Sequence, residues 1–194
     1  MIPRLLFLCA LPLVGLAATR VELTFDRSIP AVSFAAAEIE RAAALAPAGA
    51  PLRVSVEVAP VANRDAQAYR IERSAPDRVR VVGQAHQGAM YGGLDIAEAI
   101  RTGTVDALKD SDHSPHIAQR GIKFNLPLDL RTPSYSDSAD AAQANIPEVW
   151  ERAFWTDYLD TLARNRYNVL SLWSLHPFPS LVKVPEFPEV ALND

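Results

Sequence analysis

The side chains of this chain that could do chemistry gather in two short stretches. The first holds Asn125, Asp129 and Arg131, and the second holds Trp173 and His176. Asp129 offers a carboxylate for proton transfer, though Asp is equally at home as a solvated turn residue or a cap. Trp173 offers a flat aromatic face on which a ligand could stack, and the same residue type packs well between layers of structure. His113 and His116, three apart and beside Asp110 and Asp112, have the residue types of a metal site. They lie on a Pro-interrupted segment with no helix to fix their geometry, so a solvated tether is expected there. Other chemistries lack their patterns: no His-Glu-x-x-His, no Gly-x-Ser-x-Gly and no glycine-rich phosphate loop after a strand occurs. No cofactor or metal is therefore expected.

Those two stretches need a frame. Arg120 to Leu126 reads as a strand closed by Pro127, and a Pro-, Ser- and Asp-rich loop runs from Leu128 to about Glu148. Phe154, Trp155, Tyr158, Leu159 and Leu162 then recur as one apolar helical stripe. Asn168 to Leu175 reads as a second strand. Strand, helix, strand is the order of a parallel β-α-β unit, whose helix returns the chain to the start of the next strand. Asn125 and Trp173 fall near the ends of the two strands, and Asp129 and His176 just beyond them.

The chain upstream reads as a separate small α+β domain. Val21, Leu23 and Phe25 alternate with polar residues in a strand; a helix runs from a Ser28 cap and Pro30 to about Leu45. Phe34, Ile39 and Ala42 are expected on its buried side, with Glu38, Glu40 and Arg41 toward water. Strands follow at 52–58, 68–72 and 78–82, the last two joined by a turn containing Asp77. A helix from Gln84 or His86 to Arg101 buries Met90, Leu94, Ala97 and Ile100, while Gly88, Gly92 and Gly93 let it approach a sheet closely. Residues 104–108 are a candidate short strand, and 110–118 read as the linker into the second unit. The domains so drawn are 19–109 and 119–194.

The first 18 residues stand apart. Arg4 precedes the apolar run Leu5 to Leu16, and Gly15 and Ala17 place small residues at the two positions a signal peptidase reads, the pattern of a cleaved export signal. The run is shorter than the roughly 20 residues that span a bilayer. The mature protein is expected in the periplasm or outside the cell, with no membrane attachment. Cys9 lies in the signal, so the mature chain has no thiol. A net charge of −4 without a basic run argues against nucleic acid as a partner, and 49% hydrophobic content suits a globular protein.

Several motifs together resemble a known group of enzymes. Gly88-Ala89-Met90-Tyr91-Gly92-Gly93-Leu94 is similar to a sequence near the end of the small domain that precedes certain glycosidase barrels. These are the glycoside hydrolase family 20 β-hexosaminidases and the related α-glucuronidases. Arg120-Gly121 resembles the pair opening their barrel strand one, Asn165 to Leu170 their run into strand two, and Phe178-Pro179-Ser180 the loop beyond. Asn125 and Leu128 stand where hexosaminidases place Asp and Arg, and Ser171 and Trp173 where they place two histidines. The resemblance implies a zincin-like N-terminal domain followed by the first β-α-β of a (β/α)8 TIM barrel, truncated before the catalytic Asp-Glu pair on strand four. It implies a carbohydrate substrate, with Arg120 binding sugar hydroxyls beside Asn125, Asp129, Trp173 and His176. If the strand begins at Arg120, however, that residue lies at the rim opposite the barrel mouth, and a structural arginine is the other reading. An N-terminal fragment of an exported glycoside hydrolase is the first expectation; a complete non-catalytic carbohydrate- or protein-binding module is the alternative.

Overall fold

The computed structural model describes residues 20–47, 49–60, 65–126, 151–174 and 186. The chain divides into two compact units, Met1–His116 and Ile117–Asp194. The first is built on a five-stranded sheet. Its strands are β1 (Val21–Phe25), β2 (Leu52–Val58), β3 (Tyr69–Ala75), β4 (Arg78–Gly83) and β5 (Ser111–His113), in the order β1-β2-β4-β3-β5. β1, β2 and β4 run parallel, while β3 is antiparallel to both β4 and β5. The β3–β4 hairpin turns at Pro76-Asp77, as the sequence predicts.

Helices α1 (Pro30–Leu45) and α2 (His86–Thr102) pack on each other and on one face of this sheet. The alternation of β2 and β4 sends Leu52, Val54, Val56, Val79 and Val81 into one core with Val32, Ile39, Ile96 and Ile100. Each such side chain, fully buried, stabilises the fold by about 1.5–3 kcal/mol. Helix α2 is buried nearly all round, because it faces both the sheet and α1. Gly88 and Gly92 lie against Ala68, Val81 and Tyr69 of the sheet side, whereas Gly93 lies against Ala35 of α1. Two of the three glycines thus serve sheet contact and the third serves helix contact. Gly103 ends α2 in the left-handed region, at φ 68°.

Some local expectations change. Ser28 does not cap α1; its backbone N–H and hydroxyl both donate to Asp26 Oδ1, and Ile29 takes the cap position. Glu38 is buried, at 4% exposure, rather than turned to water. Its carboxylate accepts from Arg41 at 2.5 Å, one helical turn on, which offsets its desolvation. Residues 105–107 form a 3-10 helix, not a strand. The strand lies instead within the expected linker, as β5.

That edge strand is held by side chains. Arg70 makes a two-pronged contact with Asp112 at 2.9 Å on both arms, and the Arg73 N–H donates to Asp110 at 2.7 Å. The His113 ring stacks on Tyr69 at 4.6 Å, and Ser111 Oγ lies 2.8 Å from His113 Nε2. His113 is part of a sheet edge rather than of a loose tether. Among the described residues no group of three His, Cys, Asp or Glu side chains could hold a metal ion, and no helix is long and apolar enough to cross a membrane.

The second unit contains β6 (Gly121–Leu126), α3 (Arg152–Arg164) and β7 (Val169–Ser174), with β6 and β7 parallel. Of the expected stripe on α3, Leu162 is buried at 7%, while Leu159 is 47% exposed. Phe154, Trp155 and Tyr158 are half-buried and contact one another edge-on or stacked. On β7, Val169 and Leu172 are 39% and 42% exposed. Asp129, Arg131 and His176 lie outside the described residues, as do residues 1–18, on which the expected export signal falls.

Candidate functional site

Parallel pairing puts β6 and β7 in a register that starts at Gly121↔Val169 and ends at Asn125↔Trp173 and Leu126↔Ser174. Asn125 and Trp173, singled out on different strands, are therefore direct register neighbours at the C-terminal ends. Asp129 and His176 lie outside the described residues, so of the five expected site residues this register brings together Asn125 and Trp173.

Arg120 belongs to the other end. It immediately precedes β6, and its guanidinium donates from Nε to the Arg166 carbonyl at 2.8 Å and from NH1 to the Ile117 carbonyl at 2.5 Å. Its backbone N–H donates to Asn168 Oδ1 at 2.8 Å, and Asn168 Nδ2 donates to the Ala118 carbonyl at 2.9 Å. These Arg120 contacts lie at the N-terminal ends of the two strands, away from Asn125 and Trp173. Asn168, which sequence reading treated only as a strand residue, is part of the same cluster. Its signal was its place one residue before an apolar strand, where an amide can imitate a peptide group.

The first unit carries a second polar surface, on the sheet face away from the helices. Arg80 bridges Glu57, at 2.7 Å, and Glu72, at 3.0 Å; Arg53 contacts Asp77 at 2.6 Å and Glu22 at 3.3 Å. The Arg80 hydrogen bonds hold the Glu57 carboxyl below the usual carboxylate range, against a smaller opposing effect of partial burial. The same bonds raise the Arg80 guanidinium, and Asp112 raises that of Arg70. A depression of about 150 Å³ opens there, lined by Tyr69, Glu72, Arg80, Val82 and Gln84 among others. Its charges are already mutually neutralised by neighbouring strands. Alternation of Arg53, Ser55, Glu57 and of Arg78, Arg80 with valines was the sequence signal for this face.

No protein-family model matches the sequence, and no curated protein matches it. Among solved structures, a GH138 enzyme targeting pectin rhamnogalacturonan II superposes with a TM-score of 0.67 at 21% identity, over 90% of this chain and 21% of that one. A GH115 4-O-methyl-α-glucuronidase with specificity for decorated arabinogalactans superposes with a TM-score of 0.54 at 17% identity, over 82% and 26% of the two chains. The chain spans about a quarter or less of the length of either enzyme. The likeness is to these two families and not specifically to family 20 hexosaminidases. This chain has a mixed α+β fold similar to that found within glycoside hydrolase structures.

Proposed function

We propose that the chain is the N-terminal part of an exported glycoside hydrolase acting on glycan-derived sugars. In this reading the first unit precedes a (β/α)8 barrel, and β6-α3-β7 is the barrel's opening β-α-β. The observation that carries it is the superposition on the GH138 enzyme over 90% of this chain, across both units. The parallel β6–β7 pair joined through α3 is the local geometry such a barrel repeats. Export rests on the sequence pattern of residues 1–18, and N-terminal sequencing of protein from its host should then begin near Ala18 or Thr19.

Glycoside hydrolysis generally uses two carboxyl groups, one protonating the leaving oxygen. In this reading those acids are supplied by other parts of the whole enzyme, since this chain corresponds to only 21% and 26% of the two neighbours' length. Asn125, Asp129, Trp173 and His176 then form part of a sugar-contacting rim, with an aromatic face for the apolar side of a ring and polar groups for hydroxyls. Arg120 stays at the opposite end.

The test compares this 194-residue chain with the longer polypeptide containing it, on pectin and on arabinogalactan, by release of reducing ends. Activity in the longer polypeptide alone is the expected result. Hydrolysis by the 194-residue chain, or no longer reading frame together with measurable glycan binding, would overturn the proposal and favour a self-contained module.

A further inference from the structure

We propose that Arg120 and Asn168 are a positioning pair that sets the register of β6 against β7, and so holds Asn125 opposite Trp173. The proposal goes beyond the glycoside hydrolase reading and does not depend on it.

A one-residue slip between paired strands turns every side chain to the other face, so register is strongly specified only where one face is well buried. Among the described side chains of this pair, Ile122 and Leu170 are half-buried, Val169 and Leu172 are more than a third exposed, and on α3 Leu162 is the buried residue. Hydrogen bonds at the strand entry give a sharper measure of alignment than half-buried side chains do.

Asn168 has the means. Its side-chain oxygen accepts the Arg120 N–H and its side-chain nitrogen donates to the Ala118 carbonyl, while its backbone N–H donates to the Arg120 carbonyl at 2.9 Å. One residue thus bonds three groups of the strand entry, and its amide continues the ladder past the first paired residues, Gly121 and Val169. A slip of β7 by one residue would leave this acceptor and donor facing the wrong groups. Arg120 works from the other side. Its Nε grips the carbonyl of Arg166, and its NH1 grips that of Ile117, tying the turn before β7 to the segment before β6.

The turn it grips is itself fixed. Arg166 N–H donates to the Ala163 carbonyl and Tyr167 N–H to the Leu162 carbonyl, the paired bonds of a helix terminus that needs a left-handed residue. Arg166 is that residue, at φ 61°. Its carbonyl therefore has one direction, and Arg120 meets it. Gly121 completes the entry, since a Cβ there would come within 2.9 Å of the Val169 side chain.

Register can be read by cross-linking in the full chain with Cys9→Ser. Lys123 and Ser171 are register partners, both exposed, and paired residues are close enough for a disulfide. The Lys123→Cys/Ser171→Cys protein should oxidise readily. Adding Asn168→Asp, which keeps the shape but loses the donor, or Arg120→Gln should lower that yield by about tenfold, with Arg120→Lys intermediate and the far-UV helical signal retained. Arg152→Gln, the same charge loss at the far end of α3, should leave the yield unchanged. An unchanged yield in both Asn168→Asp and Arg120→Gln would overturn the proposal, as would an equal loss in Arg152→Gln. Loss of the helical signal together with the cross-link, in Asn168→Asp as well, would assign the pair to folding rather than register and overturn it too.

Discussion

Replacing Gly88 with alanine sets two effects of opposite sign against each other. An alanine in a helix is favoured over glycine by up to about 1 kcal/mol, so propensity alone makes the variant more stable. The structure says otherwise. A Cβ on Gly88 would overlap the carbonyl oxygen of Ala68 and lie 3.0 Å from its carbon and 3.2 Å from that of Gln67. These are backbone atoms and cannot rotate away. The same oxygen accepts the Gln84 N–H at 2.8 Å, and the Ala68 N–H donates to the Asp65 carbonyl at 2.8 Å, so the segment is pinned on both sides. Relief requires α2 to move off the sheet, where Ala89, Ile96, Ala97 and Ile100 are 0–4% exposed. Overpacking of this kind costs about 1–3 kcal/mol, and losing the Gln84 hydrogen bond adds about 1 kcal/mol. Net destabilisation of about 1–3 kcal/mol is expected, measured as a lower urea midpoint at unchanged slope by far-UV circular dichroism. Gly103→Ala is the comparison. No atom lies within 4 Å of its Cβ, but φ is +68°, so it should lose about 1 kcal/mol through backbone strain alone and Gly103→Asn should recover part of that. A Gly88→Ala protein as stable as the parent, or more so, would refute the close-approach argument.

Three other outcomes follow from the same geometry. Glu57 titrates below its ordinary value in the folded state, so its pairing stabilises at neutral pH and the benefit is lost as pH falls through the usual carboxylate value toward the lowered one. Urea midpoints below pH 5 should therefore fall less steeply in Arg80→Gln than in the parent; the difference stays within about 1 kcal/mol because the pair is exposed to solvent. Arg166→Gly removes the left-handed strain of an L-residue at φ 61° and should stabilise the second unit by about 0.5–1 kcal/mol, read by hydrogen exchange of β7 amides. Limited proteolysis should cut first in the second unit, where Leu159, Val169 and Leu172 are exposed, and leave a fragment containing residues 20–113; uniform protection of the whole chain would contradict this.

Local periodicity made most elements legible in the sequence. Alternation of Val21, Leu23 and Phe25, and of the valines in β2 and β4, marks strands because successive side chains of a strand point to opposite faces. The apolar spacing of α2 and α3 marks helices, and the order β6-α3-β7 requires parallel pairing. That Asn125 and Trp173 fall near strand ends was legible for the same reason, since strand ends follow from strand limits. What the sequence could not decide involved partners distant along the chain. Three polar residues, Ser111 to His113, have no strand periodicity, and they form β5 only because Arg70, Arg73 and Tyr69 hold them forty residues away. Glu38 looks solvated until Arg41 and the packing of α1 on α2 bury it. Gly93 resembles Gly92 in sequence, yet one faces a helix and the other a sheet. Arg120 is the sharpest case. Its residue type suits sugar binding and carbonyl clamping equally, and only the fold brings Arg166 and Asn168, more than forty positions on, within hydrogen-bond distance. Hydrogen bonds act over about 3 Å, so a partner that distant in sequence is chosen by tertiary structure alone.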